Sequence, residues 1–241
     1  MKRFWIATTV LSLFATSAHA FGVDLTVNAC PGNSAASADA GTLDCAGGQS
    51  VALLAAFMPY EAIPDLVGVD FRFVMQVSGD ITAASAFWDF ADVNQGAVSV
   101  NGNAPATGCD NYRNLWTGPN SASAWGAALR SPSNERIATT CYNLPGAGFA
   151  VAPNERVFGV QLLISTGSSV EAGGAQPGCN APVCIAVDQC IPGSLSNVPV
   201  TTLTSPSAMG ILVTMNEGGP YMCYAVPAVR HTWGQLKTLY R

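Results

Sequence analysis

The stretch "FWDFADVNQG", Phe87 to Gly96, sets Asp89 and Asp92 beside Trp88 and Phe90. Two carboxylates about 5–9.5 Å apart are the minimum for glycoside hydrolysis, one as acid and the other as nucleophile or base. Aromatic rings next to them are where sugar faces stack. The competing reading is a strand end entering a polar turn with Trp88 in the core, and in a chain with 15 acidic residues two near neighbours arise by chance. The same run, Asp89-x-x-Asp92-x-Asn94-x-Gly96, offers oxygen ligands for calcium but lacks the every-second-residue spacing and closing Glu of an EF-hand. Calcium in another geometry and a solvated turn both stay open; no other cofactor is expected.

A second chemistry-bearing stretch, "CDNYRNLWTGPNSASAW", combines Tyr112, Trp116 and Trp125 with amides, hydroxyls and Arg113. Aromatic faces with such groups around them suit a saccharide-binding platform. They equally suit a polar loop that needs large side chains to pin it to a core. Other chemistries are poorly supplied. Beyond residue 20 the chain holds a single histidine, His231, and no G-x-S-x-G elbow. Ser-His-Asp and Cys-His triads therefore lack a base placed in the body of the chain. A zinc site lacks ligands for the same reason, since there is no CxxC pair and His231 is remote from every cysteine. No catalytic residue and no metal site are expected.

Eight cysteines, Cys30, Cys45, Cys109, Cys141, Cys179, Cys184, Cys190 and Cys223, follow an amino terminus that reads as a leader. Lys2 and Arg3 open it, an apolar run follows from Phe4 to about Ala15, and Ala18-His19-Ala20 supplies the small-x-small cleavage pattern of a signal peptide over 1–20. The run is short of the roughly 20 apolar residues that a membrane-spanning helix needs. An even cysteine count in an exported chain reads as disulfides, all eight being expected to pair. Neighbour pairing, 30–45, 109–141, 179–184 and 190–223, is the simplest of the many arrangements and is the one expected.

The elements that must position these residues have a period of two. In "FGVDLTVN" Phe21, Val23, Leu25 and Val27 share one face; in "LVGVDFRFVMQV" Val67, Val69, Phe71, Phe73, Met75 and Val77 do; in "RVFGVQLLIST" Phe158, Val160, Leu162 and Ile164 do. Such alternation means strands with one face buried. "VALLAAFM", "PVCIAV", "GILVTM" and "YMCYAV" read as central strands, and clusters of Gly, Pro, Asn and Ser between the runs read as turns. About eight to ten short strands without a long helical pattern predict an all-β chain, a disulfide-stapled antiparallel β-sandwich over 21–229. The polar, Ala/Ser-rich stretch 101–134 is expected to be a loop insertion or a weak boundary. From Phe21 to Val229 there are 5 arginines against 15 acids, a balance of −10 that argues against nucleic acid, whose phosphates need clustered Lys and Arg, so no nucleic-acid partner is expected.

The last stretch, 230–241, "RHTWGQLKTLYR", is chemically distinct: three cationic side chains, no acid, and the only lysine after Lys2. Trp233, Leu236 and Tyr240 fall on one helical face, Thr232 and Gln235 match a capping box, and Lys237 and Arg241 sit toward the end where the helix dipole favours cations. Helices shorter than about 12–15 residues do not hold their shape alone. The tail therefore reads as a docking element, its partner being the chain's own body or export and surface machinery.

The ending "TWGQLKTLYR", with "GCNAPVCIAVDQC" upstream and "VDLTVNAC...LDCAGG" near the start, resembles an uncharacterised family of secreted bacterial proteins that carry a signal peptide, several cysteines and a TWGxxKxLYR-like C-terminal motif. The resemblance implies an extracytoplasmic location and no activity. Residues 50–80 also bear a faint likeness to the opening of cohesin-type β-sandwiches, an analogy of fold alone. Together these observations predict a secreted or cell-surface, non-enzymatic structural or interaction module. Its partner would be an unknown protein or a surface glycan, with the tail as docking or sorting segment. A carbohydrate-binding module on Tyr112, Trp116 and Trp125 is the alternative, and a glycoside-active enzyme using Asp89 and Asp92 stands behind it.

Overall fold

The computed structural model describes residues 22–30, 40–46, 48–77, 86–92, 94–103, 109–117, 119–131, 134–143, 146, 148–167, 170–171, 174–175, 177–196 and 212–216. The leader 1–20, the "YMCYAV" run with Cys223, and the tail with Trp233, Leu236, Lys237, Tyr240 and Arg241 lie outside the described residues.

Among the described residues thirteen strands run in chain order: β1 (Gly22–Val27), β2 (Ala40–Gly41), β3 (Ser50–Met58), β4 (Ile63–Val77), β5 (Val98–Asn101), β6 (Ser121–Ser131), β7 (Asn134–Asn143), β8 (Phe149–Val151), β9 (Val157–Ser165), β10 (Val170–Glu171), β11 (Gly174–Ala175), β12 (Val183–Ser194) and β13 (Leu212–Met215). Single 3-10 turns lie at Ala86–Trp88 and Gln95–Ala97. The alternating runs read from the sequence fall on β1, β4 and β9, and three of the four apolar runs on β3, β12 and β13.

Two sheets share one core. The smaller has the order β1-β3-β9-β5 and the larger β2-β13-β12-β4-β7-β6, with β8 paired to the start of β4; a separate two-stranded ribbon joins β10 and β11. Most pairings are antiparallel, as alternating strands with short turns favour. β4 is the axis of the larger sheet. Its inward residues Val69, Phe71, Phe73, Met75 and Val77 are buried, and Gly68, Asp70, Arg72, Val74 and Gln76 are half-buried on the opposite face. Across the interface Phe71 meets Phe57 of β3 edge-on at 6.4 Å between centroids and stacks on Phe73 at 6.1 Å. The pairing of β3 with β9 slips by one between Ala55 and Ala56, and the extra residue on β9 is Gly159. A Cβ there would lie 2.2 Å from the Phe71 ring, so the bulge needs glycine because the aromatic occupies the space of a side chain.

Two strands correct the expected layout. The stretch 101–134, expected as a loop insertion or a weak boundary, contains β6, which pairs with β7 from Ser121↔Asn143 to Ser131↔Asn134. β7 itself escapes the periodicity because its inward side is polar: Glu135, Ile137, Thr139 and Cys141 are the buried set.

The cysteines correct the expected pairing. Cys30 bonds to Cys109 and Cys45 to Cys179, at sequence separations of 79 and 134, and Cys184 is disulfide-bonded as well. Cys141 and Cys190, expected in disulfides, are free and buried. The sheet explains why these two do not bond to each other. Cys141 sits opposite Val69 and Cys190 opposite Phe71, on β7 and β12, with β4 between them. Strands two places apart are separated by roughly 9–10 Å, beyond the roughly 4.4–6.8 Å between Cα atoms that a disulfide spans. Burial, reinforced by the charge of Asp70, pushes the Cys141 thiol up to about 12 and raises Cys190 well above the usual thiol range. Neither forms a thiolate at neutral pH, so both are inert in the folded state. Alkylation without reductant should therefore label no cysteine in the native protein and two after denaturation, read by intact-mass spectrometry. Labelling in the native state, or any number but two when denatured, would contradict the pairing.

Candidate functional site

The turn from Ala86 to Ala97 carries Asp89 and Asp92 and is held by backbone and side-chain hydrogen bonds. The backbone N–H groups of Phe87 and Asn94 donate to the carbonyls of Pro177 (3.1 Å) and Asp89 (2.7 Å). Asn94 Nδ2 donates to the Phe87 carbonyl at 2.8 Å and Trp88 Nε1 to the Gly178 carbonyl at 2.9 Å. Phe87, Trp88 and Phe90 are buried and packed edge-on, with centroids 5.1–6.3 Å apart. Edge-to-face packing satisfies the ring quadrupoles internally. No ring face is left for a sugar.

Asp89, also buried, accepts the Asp92 N–H on Oδ1 at 3.0 Å, an Asx-type turn that fixes the loop. The two aspartates are therefore joined through a backbone bond. The carboxyl facing Asp89 electrostatically is Glu135 of β7, a residue the sequence reading did not select. Glu135 is fully buried. Its Oε2 accepts the Phe90 N–H at 3.1 Å, and its Oε1 has no hydrogen-bond partner. Burial pushes its carboxyl up to about 8; the Phe90 N–H pulls against that rise and the charge of Asp89 adds to it. At neutral pH Glu135 therefore keeps its proton, as a desolvated acid beside a second acid must. No spacing signal could have found it, because the sheet brings it to Asp89 from far along the chain. Among the described residues no group of three or more acids, histidines or cysteines could hold a metal ion.

The aromatic set of the second candidate divides. Trp116 is buried and donates Nε1–H to the Phe158 carbonyl at 2.9 Å. Tyr112 is buried with its ring 5.8 Å from the Arg156 guanidinium, and burial together with the charge of Asp24 pushes its hydroxyl up to about 12 against the opposing pull of Arg156. Trp125 lies on the inward side of β6, half-buried against the core. The three do not form one exposed face. What Tyr112 and Trp116 do is clamp the loop. Arg113 between them donates its N–H to the Arg156 carbonyl at 2.9 Å and accepts from the Phe158 N–H at 3.0 Å, its guanidinium pairs with Glu155 at 3.0 Å, and Cys109 is bonded to Cys30. The docking residues Trp233, Leu236, Lys237, Tyr240 and Arg241 fall outside the described residues.

No known family model and no curated protein matches this chain.

Proposed function

We propose that this chain is a secreted or cell-surface, non-enzymatic module, a disulfide-stapled β-sandwich with a structural or interaction role, whose basic C-terminal tail is its docking or sorting segment. The observation that carries the reading is where the reactive-looking side chains sit: Asp89, Glu135, Tyr112 and Trp116 are all buried, Asp89 bonds within its own turn, and Glu135 and Trp116 each tie a loop to a strand. Disulfides that join distant segments fit an oxidising compartment. No helix among the described residues is long and apolar enough to cross a membrane. In the tail, Trp233, Leu236 and Tyr240 would serve as apolar anchors, with Lys237 and Arg241 setting orientation on an acidic partner surface. An unknown protein or a surface glycan remains the partner class.

Deleting Thr232–Arg241 and fractionating the producing cells tests the reading. Loss of surface retention with an unchanged melting temperature is expected. If the truncated chain keeps both its location and its melting temperature, the tail is not a docking element. A fall in melting temperature with location unchanged would instead make it a strap on its own body.

A further inference from the structure

The long edge strand of the larger sheet carries an inference that does not depend on the tail. β6 ends that sheet: it pairs with β7, and no strand among the described residues lies on its other side. Every second residue of such a strand turns its backbone N–H and C=O away from the sheet. Proteins ordinarily blunt an edge of this kind by keeping it short or by placing Pro, Lys or a bulge in it. The other terminal strands here follow that rule in length: β1 has 6 residues, β2 has 2 and β5 has 4. β6 has 11 residues, "SASAWGAALRS", with no Pro, no Lys and one charge, Arg130; its only pairing irregularity lies at the far end, between Leu129 and Ser131. It is also held firmly, because Ser123 Oγ donates to the Val100 carbonyl of β5 at 3.0 Å. The solvent-facing residues Ala122, Ala124, Gly126 and Ala128 are small, and a Cβ on Gly126 would meet nothing within 4 Å.

We infer that β6 pairs with β6 of a second copy of this chain, antiparallel and centred on Gly126. Two features favour a second copy over another partner. The pattern is close to self-complementary about Gly126: Ala124 comes opposite Ala128, the large Trp125 opposite the small Ala127, and Ser123 opposite Leu129. The register pairs position 130 with position 122, so the strand's single charged position does not meet its own copy. Charge opposes such contact elsewhere and permits it at this strand. A body with a balance of −10 repels its own copy over most of its surface, and residues 121–129 form an uncharged strip through which two copies can meet. The pairing is isologous, as two-fold symmetry requires. A single strand pair lies at the low end of interface size, so the dimer is a weak, concentration-dependent one.

Sedimentation velocity on the full exported chain over a concentration series tests this. Wild type should pass from monomer to dimer. Ala124→Lys combined with Ala128→Lys sets ammonium against ammonium twice across the two-fold axis and should weaken the dimer about tenfold. Ala124→Glu combined with Ala128→Lys sets opposite charges together at the same places and should restore it. Both pairs of substitutions lie on exposed alanines, and unchanged melting curves will show that the fold is intact. A wild type that stays monomeric throughout, or a dimer indifferent to which charge pair is installed, overturns the proposal.

Discussion

Gly159→Val should cost the protein about 3 kcal/mol or more, at or above the top of the usual range for overpacking a core. Even the Cβ that alanine adds would lie 2.2 and 2.4 Å from two carbons of the Phe71 ring and 3.0 Å from the Ala55 carbonyl oxygen. Phe71 has no free direction in which to move, being fully buried between Phe57 of the opposite sheet and Phe73 of its own strand. The cause is steric and not conformational, so the cost should fall when the obstacle is removed. In urea denaturation Gly159→Ala should lose less when combined with Phe71→Leu than the two single losses summed, a coupling that a double-mutant cycle reads directly. Simple additivity would mean that the bulge relaxes away from the ring.

Raising the pH from about 5 to about 8 should weaken the fold, and Glu135→Gln should abolish most of that loss. The folded carboxyl is held up to about 8, well above the 4.5 of a free glutamate, by burial and by Asp89. Below pH 4.5 both folded and unfolded states carry the proton and Glu135 costs nothing through ionisation. Between 4.5 and about 8 the unfolded chain ionises while the folded one does not, so stability is lost steadily as pH rises. At about 1.4 kcal/mol per pKa unit the accumulated loss near pH 7 is on the order of 3 kcal/mol. Glutamine mimics the protonated acid: its carbonyl can accept the Phe90 N–H and it has no charge to gain. The variant should be more stable than wild type at pH 7 and equal to it near pH 4.5, measured by denaturant midpoints across the pH series. A wild-type profile that is flat from pH 5 to 8 would show that Glu135 ionises freely.

How much of this was legible in the chain depends on which face each strand buries. β4 announced itself because Val69, Phe71, Phe73 and Met75 alternate with Asp70, Arg72 and Gln76 in an unbroken pattern. β7 did not, since its buried side carries Glu135, Thr139 and Cys141, and Thr139 Oγ1 and Glu135 Oε1 are left without partners. β6 looked like a loop because Ala, Ser and Gly have weak strand propensity, and neighbouring β7 supplies what local preference lacks. The disulfides were legible as a class but not as pairs, because pairing is set by which strands lie side by side. The aromatics of 109–125 were legible as important. Their chemistry reads the same whether a ring stacks on a sugar or on a core, and only burial separates the two.

The connectivity of the cysteines has a consequence for how the protein is made. A chain emerging amino terminus first presents Cys30 and Cys45 long before Cys109 and Cys179, their partners in the finished fold. Closure entropy favours the short loop, so the bond most readily struck by an oxidant at that moment is one the native protein does not contain. Maturation then requires either that oxidation wait for the sheets to assemble or that a thiol catalyst undo and exchange early bonds. Cys141 and Cys190, unbonded and buried among the described residues, are packed beside β4, where a passing oxidant does not reach them once the sheet has formed. The order of packing and oxidation, as much as the final contacts, selects this molecule.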